Sequence, residues 1–274
     1  MKGTLYIVST PIGNLEDITL RALRVLKEVD TIAAEDTRHS LKLLNHYGIS
    51  KPLISYWGEK EKVKAEETIR ILSAGQNVAL ISDAGTPGIS DPGNLLIRKA
   101  LEEGIRVVPV PGPTAVIAAL SISGFSTDCF LFRGFLPAKQ VQRLKELKDL
   151  SLDSRTIVLY EAPHRLRETL ADIRETFQDR HLVVIKEITK FYEEVFRGTA
   201  TTVLDRLETA KIAGEYVIVL EGRPEEKRVS MDDALLEIRA LMKKGLGRKE
   251  AVKRIAGEYG ISRKDLYDRS LSGE

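Results

Sequence analysis

Two groups of acidic and basic side chains follow predicted strands and could transfer protons or hold an anion. The first group is Glu35, Asp36 and Arg38, directly after the apolar run at 31–34. The second group follows two later apolar runs and consists of Glu161, His164, Arg165, Lys186, Glu187 and Lys190. A carboxylate or a lysine can accept a proton from a hydroxyl, and arginine or lysine can hold phosphates. An enzyme that acts on a hydroxyl of an anionic substrate would need such groups, although each residue could equally form an ordinary salt bridge.

The stretch from Leu80 to Gly93 (LISDAGTPGISDPG) is a second feature that indicates chemistry. Three glycines and two prolines within residues 85–93 predict an irregular loop after a buried strand at 77–81. The loop contains no lysine or arginine, and it matches neither the P-loop pattern nor G-x-G-x-x-G. Such a loop can bring its backbone close to a neutral or zwitterionic ligand. The alternative is a surface turn that binds nothing.

The elements around these residues alternate between short apolar strands and helices. Up to about residue 125 the order is strand, loop, helix, which predicts a mostly parallel sheet in an α/β domain. Ligands of such sheets lie beyond the carboxyl ends of the strands, where loops 10–14, 35–39, 83–93 and 111–114 are expected. Residues 128–220 predict a second α/β domain with mixed strand directions. The expected domains are therefore 1–123 and 124–226, with a cleft between them, followed by a small helical extension at 227–274.

The helical extension carries an excess of positive charge. Residues 227–274 contain 12 Lys and Arg against 8 Asp and Glu, a net charge of +4, whereas the whole chain has +2. A basic segment favours an anionic partner such as RNA, although it could also be a solvated helical face. Two predicted helices around GEYGIS at 257–262 are typical of a helix-turn-helix or of a small helical bundle.

Cysteine and histidine usage limits other kinds of chemistry. Cys129 is the single cysteine, so no intrachain disulfide can form, and a core position is expected for it. The four histidines do not have the spacing of metal ligands, so no metal is expected. With neither an N-terminal signal core nor an apolar run of about 18 residues, the sequence predicts a cytoplasmic protein that does not span a membrane.

Several motifs resemble those of the tetrapyrrole-methylase superfamily. They are 9–15 (STPIGNL), 34–38 (AEDTR), 82–93, 111–115 (PGPTA), 160–166 (YEAPHRL), 186–190 (KEITK) and 214–218 (GEYVI). Their order is similar to that in the branch of ribosomal RNA small-subunit (cytidine-2′-O)-methyltransferases, and the resemblance covers roughly residues 2–222. Gly85-Thr86-Pro87 stands where the tetrapyrrole enzymes have Gly-Asp-Pro, which disfavours a tetrapyrrole substrate.

The resemblance implies S-adenosylmethionine as methyl donor, bound in a cleft between two α/β domains. It also implies a homodimer that methylates the ribose 2′-hydroxyl of a cytidine in the decoding region of 16S rRNA, within the small ribosomal subunit. The expected donor contacts are Pro11, Asp83, Gly85, Thr86, Ile89, Thr114, Ala115, Tyr160, Ala213 and Gly214. Two alternatives stay open: a methyltransferase of a tetrapyrrole or another small molecule, and a non-enzymatic RNA-binding module.

Methyl transfer to a ribose hydroxyl gains from partial removal of its proton, so a general base is expected at a strand end. The candidates are Glu35, Asp36, Glu161 and Lys186. Lys186 could serve only if burial or the nearby Arg165 made it neutral. Arg38, Arg165 and Lys190 are expected to hold phosphates that flank the cytidine.

Overall fold

The computed structural model describes residues 1–56, 61–208, 210–224 and 230–271. The chain divides into two compact units, Met1–Gly222 and Arg223–Glu274. The first unit holds both α/β halves, so the domain boundaries expected at 123/124 and 226/227 stay predictions. In the described part of the chain, no helix is long and apolar enough to cross a membrane.

The first α/β half contains a parallel five-stranded sheet. Its elements are β1 (Thr4–Val8), α1 (Leu20–Glu28), β2 (Thr31–Ala34), α2 (Thr37–His46), β3 (Leu53–Ser55), α3 (Glu61–Ser73), β4 (Val78–Ile81), α4 (Asn94–Glu102), β5 (Arg106–Val110) and α5 (Ala115–Ser123). The strand order is β3-β2-β4-β1-β5, and all pairs are parallel. Every residue of β2 and β4 is buried, since helices cover both faces of the sheet.

Local signals fix where the helices of this half begin. Thr19 accepts a hydrogen bond from the backbone N–H of Ala22 and starts α1, in keeping with the preference for threonine at this position. Asp36 accepts one from the N–H of Arg38, so α2 begins at Thr37, within the stretch 35–39 that was expected to be a loop. Two helices predicted from the sequence include a residue outside the described part of the chain. These residues are Lys60, at the start of a helix predicted over 60–74, and Thr209, in a helix predicted over 202–210.

The second α/β half contains a mixed five-stranded sheet. Its elements are β6 (Phe130–Phe135), α6 (Gln140–Leu150), β7 (Thr156–Glu161), α7 (Leu166–Phe177), β8 (His181–Lys186), β9 (Glu194–Thr199), α8 (Ala200–Leu207) and β10 (Tyr216–Leu220). The order is β6-β7-β10-β8-β9; the β6–β7 pair is parallel and the other pairs are antiparallel. The predicted mixture of directions is confirmed. Cys129 is exposed just before β6, so its expected core position is wrong.

The second unit consists of the helices α9 (Met231–Lys243), α10 (Arg248–Tyr259) and α11 (Arg263–Leu271). Ser230 caps α9 through the N–H of Asp233, and α10 ends at Gly260 in the left-handed conformation. Ala234, Ile238, Ile255 and Leu266 form the centre of its own small core. The predicted α/β class with C-terminal helices is therefore confirmed.

Candidate functional site

A pocket of about 370 Å³ lies between the two sheets and is called here the cleft pocket. The first half lines it with Ile12, Ala84, Gly85, Thr86, Ile89, Ser90, Asp91, Thr114 and Ala115. The second half contributes Phe135, Tyr160, Glu161, Ala162, Pro163, Ile188, Glu215, Tyr216 and Val217. The lining is mostly apolar, with three carboxylates and no lysine or arginine among these residues. The absence of lysine and arginine from the 83–93 loop had predicted this for the part of the pocket that the loop forms.

Loops after β1, β4 and β5 hold one another in place at this pocket. Thr10 and Gly85 exchange backbone hydrogen bonds of 2.8 and 3.1 Å. The hydroxyls of Ser9 and Thr86 lie 2.7 Å apart. Gly112 approaches Ser9 so closely that a Cβ atom would lie 2.8 Å from the Ser9 Cβ. The pocket wall is therefore built on carboxyl ends of adjacent parallel strands, where open α/β sheets bind ligands.

Six of the ten expected donor contacts line the cleft pocket. They are Gly85, Thr86, Ile89, Thr114, Ala115 and Tyr160. Pro11, Ala213 and Gly214 do not line it, and Asp83 lines a neighbouring groove instead. The assignment of all ten residues to a donor stays a prediction, but the structure brings most of them together on one surface.

A left-handed stretch of backbone forms part of the pocket wall after β8. Glu187 and Thr189 have φ of 52° and 67° without being glycine, a conformation that is unfavourable for residues with a Cβ. Ile188, between them, lines the pocket. The Thr189 hydroxyl donates to Asp17 of the first half at 2.6 Å, which ties this strained segment across the cleft.

The second feature of the site, called here the acidic groove, is lined by Glu35, Asp36, Thr37, Arg38, Ser55 and Asp83. The Glu35 carboxylate accepts from the N–H of Asp83 at 3.2 Å, and the Asp83 carboxylate accepts from the N–H of Asp36 at 3.1 Å. These bonds join the ends of β2 and β4. The groove brings together the three candidate catalytic residues of the first half.

The carboxyl groups of the site fall into two electrostatic classes. Burial raises the pKa of Glu35, and the nearby carboxylates of Asp91, Asp83 and Asp36 raise it further. Burial likewise raises the pKa of Asp91, assisted by the charge of Asp83. By contrast, the side-chain hydrogen bond from Arg38 lowers the pKa of Asp36. Glu35 and Asp91 therefore hold a proton more strongly than exposed carboxyls do, whereas Asp36 is a stably ionised helix cap.

Glu161 is held by neighbours of its own half. Its buried carboxylate accepts from the Thr169 hydroxyl at 2.5 Å and from the N–H of Ala162 at 2.8 Å. Arg165 lies 3.4 Å from the same carboxylate and donates to the backbone carbonyls of Leu136 and Pro137. These contacts fix the junction between β7 and α7, which is a structural role for both side chains.

Lys186 is a cation. Its ammonium group donates to Glu194 at 3.0 Å, and this bond raises the pKa of Lys186. The expectation that burial or Arg165 would make Lys186 neutral is therefore wrong. Lys190 is also paired, with Glu187 at 2.8 Å and Glu215 at 2.9 Å. Of the three expected phosphate-binding residues, Arg38 is the one with a largely exposed side chain, at 89%.

Sequence reasoning missed several residues of the cleft pocket, including Ile12, Asp91, Phe135, Ile188 and Glu215. Asp91 belongs to the same loop as Thr86 and Ile89, so the signal that selected the loop was available for it. Phe135 ends a strand beside β7, and Glu215 precedes one. No residue pattern showed that these two ends point into the cleft, because that depends on the packing of one sheet against the other.

Comparison with known proteins places this fold in a defined class. Residues 4–204 match the family Tetrapyrrole (Corrin/Porphyrin) Methylases. Two solved structures share the fold: cobalt precorrin-4 methyltransferase, a cobalamin biosynthetic enzyme (TM-score 0.60, 20% identity, 80% of this chain and 94% of that chain), and uroporphyrin-III C-methyl transferase from Thermus thermophilus complexed with S-adenyl homocysteine (TM-score 0.58, 19% identity, 80% and 97%).

Curated relatives are similar over nearly the whole chain. A Ribosomal RNA small subunit methyltransferase I from Synechocystis sp. is 48% identical and covers 99% of both chains. A protein of the same name from Halalkalibacterium halodurans is 43% identical, over 97% of this chain and 94% of the relative. The chain therefore belongs to the ribosomal RNA small subunit methyltransferase I family, within the tetrapyrrole methylases.

Proposed function

We propose that this chain transfers a methyl group from S-adenosylmethionine to the ribose 2′-hydroxyl of a cytidine in the decoding region of 16S rRNA. The observation that carries the proposal is the 43–48% identity, over nearly the full length, to relatives named as ribosomal RNA small subunit methyltransferases. The same relatives disfavour the alternatives, a tetrapyrrole or other small-molecule substrate and a non-enzymatic RNA-binding module.

The chemistry of the cleft pocket suits this donor. The pocket lies between two sheets, its volume of about 370 Å³ is within the range for small-molecule sites, and its lining is mostly apolar. When bound, the donor supplies an electrophilic methyl group on a sulfonium ion. Asp91 and Glu215 line the pocket and have the sign of charge that complements a sulfonium and an ammonium group.

Residues of both halves would hold the donor. Thr86 and Ile89 come from the loop after β4, Thr114 and Ala115 from the start of α5, and Tyr160 from β7. Burial, together with the charges of Asp91 and Glu215, raises the pKa of Tyr160 to about 12, so its hydroxyl stays protonated and can donate a hydrogen bond. Pro11, Asp83, Ala213 and Gly214 lie outside the pocket lining, and their donor contacts are proposed from the resemblance.

Glu35 is the base that the contacts favour for the ribose hydroxyl. A carboxylate with a raised pKa is a stronger proton acceptor than an ordinary one, and Glu35 is accessible from the acidic groove. Asp36 is weakened as a base by Arg38. The Glu161 side chain is fully buried and already accepts from Ala162, Arg165 and Thr169, and Lys186 is protonated. Arg38, with its exposed guanidinium, would hold an RNA phosphate.

Assembly and location rest on the resemblance alone. We include in the proposal a homodimer, the small ribosomal subunit as macromolecular partner, and a cytoplasmic site of action. The basic extension at 227–274, with its net charge of +4, supports a contact with RNA by charge.

Nucleotide-level mapping of 2′-O-methylation in 16S rRNA tests the proposal. RNA from cells that carry the gene should show one methylated cytidine that is unmethylated in cells lacking it. Returning the parent gene should restore the methylation, whereas returning a Glu35→Gln gene should not. Identical methylation maps with and without the gene would rule out the proposed substrate.

A further inference from the structure

An irregularity in β6 turns one aromatic side chain towards the cleft pocket. The pairing of β6 with β7 shifts between Phe132 and Gly134, so that Arg133 is an extra residue, and Gly134 has φ of 72°. In regular pleating, side chains two apart share a face. The bulge instead places Phe132 and Phe135 on the same face, opposite Val158 and Tyr160. Bulges beside functional sites commonly re-aim a side chain in this way.

Phe135 remains exposed although it lines the pocket. It is 53% accessible, and its ring contacts Tyr160 at an interplanar angle of 62° with 5.6 Å between centroids. Tyr160 therefore meets it in an edge arrangement and does not cover it with a parallel ring. Among the exposed large apolar side chains of the described residues, Ile89 and Phe135 line this pocket. The folded chain thus keeps a large apolar surface in water at the mouth of its site.

We propose that Phe135 stacks on the base of the nucleotide whose ribose is methylated. This inference rests on the proposed function. Single-stranded RNA is recognised by unstacked bases that lie on aromatic side chains, and a base presents a flat π-face that matches an exposed ring. The Ser90 hydroxyl lies close by, 4.0 Å from where a Cβ on Gly134 would be, and can hydrogen-bond to a base edge.

The exposure of Phe135 favours the RNA over the donor as the molecule it contacts. Small-molecule sites bury most of the ligand surface, and Thr86, Thr114 and Ala115, which also line the pocket, are less exposed than Phe135. A half-exposed ring at the rim is accessible to a group that arrives attached to a macromolecule. Loss of the ring should then affect the RNA-dependent step and leave donor affinity unchanged.

Four single variants of the full chain test this assignment. Phe135→Ala removes the ring, Phe135→Leu keeps apolar volume without a π-face, and Phe135→Trp restores an aromatic face. Phe130→Ala is the matched control, because Phe130 lies in the same strand, is 37% exposed and does not line the pocket. Each is assayed for donor affinity by calorimetry and for single-turnover methylation of small ribosomal subunits from cells that lack the gene.

Stacking of one base on an aromatic residue is worth about 1–3 kcal/mol, or about 5- to 150-fold. We expect the single-turnover rate constant at subsaturating enzyme and subunit concentrations to fall by that factor in Phe135→Ala and Phe135→Leu, and to stay within a few-fold of the parent in Phe135→Trp and Phe130→Ala. An equal loss of donor affinity, or full activity of Phe135→Leu, would overturn the stacking role. If the parent itself does not methylate the subunits, the proposed function fails, which is a separate outcome.

Discussion

Gly85→Val is the substitution that most directly tests whether the cleft pocket binds the donor. Gly85 has φ of 80°, and this left-handed conformation costs a residue with a Cβ about 1–2 kcal/mol. An added Cβ would meet Ile12 Cγ2 at 3.5 Å and the Pro113 carbonyl oxygen at 4.0 Å, both ordinary contacts. The folded state should therefore survive, with the valine methyl groups occupying space that the ligand would use.

Gly124→Val is the matched control for backbone strain. Gly124 has φ of 81°, a Cβ there meets nothing within 4 Å, and the residue lies outside the cleft pocket. Each variant should unfold at a lower temperature than the parent, by about 2–8 °C, since 1 kcal/mol shifts Tm by about 2–4 °C in a domain of this size. The two variants should differ little from each other in the absence of the donor.

The two variants should differ in how much the donor stabilises them. At a concentration of 100 times Kd, a ligand stabilises the folded state by about 2.7 kcal/mol. Overpacking that costs about 1.4 kcal/mol in the complex lowers donor affinity tenfold. The same donor concentration then stabilises folded Gly85→Val by only about 1.4 kcal/mol. Gly124→Val should keep the parent's donor-induced rise in Tm. If calorimetry and thermal shift give Gly85→Val the parent's affinity for S-adenosylmethionine, the loop at 83–89 is not part of the donor site.

Three further substitutions or deletions follow from the contacts. Glu35→Gln should lower the single-turnover methylation rate by about 10²–10⁴ with donor affinity unchanged, and the parent's rate should rise with pH as Glu35, with its raised pKa, loses its proton. Asp172→Asn should cost about 3–5 kcal/mol in urea denaturation, because the buried Arg143 loses the carboxylate 2.6 Å away and keeps only the exposed Glu168 at 3.6 Å as a charge partner. Deleting 228–274 should weaken RNA binding and flatten its salt dependence; RNA affinity and methylation equal to the full chain would make the extension purely structural.

Element types were predictable because each depends on neighbouring residues. Thr19 and Ser230 are of residue types that favour the cap position, and both cap helices. The largely apolar β2 and β4 are buried strands of a parallel sheet. The start of α2 was missed because Asp36 was considered as a catalytic carboxylate and not as a cap. Cys129 was misplaced because its aromatic neighbours Phe130 and Phe132 suggested a core, although the residue itself precedes the strand.

The site was predictable only as far as strand ends define it. The strand-end loops were predicted from the sequence pattern, whereas Thr86, Thr114 and Tyr160 were expected from the resemblance to the tetrapyrrole-methylase superfamily, and all three line the cleft pocket. The protonation state of Lys186 was not predictable, because its partner Glu194 lies on the adjacent strand β9. The pairing of β8 with β9 cannot be deduced from the residues next to Lys186 in the sequence. The orientation of Phe135 towards the pocket depends on a one-residue bulge in β6 that no residue pattern indicated.

The division of carboxyl groups in the site also supports Glu35, at the end of β2, as the proposed base. Adjacent carboxyls whose pKa values are pushed apart take different tasks. Arg38 stabilises the charge of Asp36, so Asp36 serves as the cap that fixes the first turn of α2. Glu35, one residue earlier, lies instead among the carboxylates of Asp83 and Asp91, whose charges raise its pKa. The folded chain therefore binds a proton at Glu35 more tightly than the unfolded chain does. The stabilisation from this proton is complete below the ordinary glutamate pKa and is lost as pH rises through the raised value.

Glu35→Gln should accordingly remove a destabilising charge at neutral pH while it abolishes proton transfer, a combination that a purely structural glutamate would not produce.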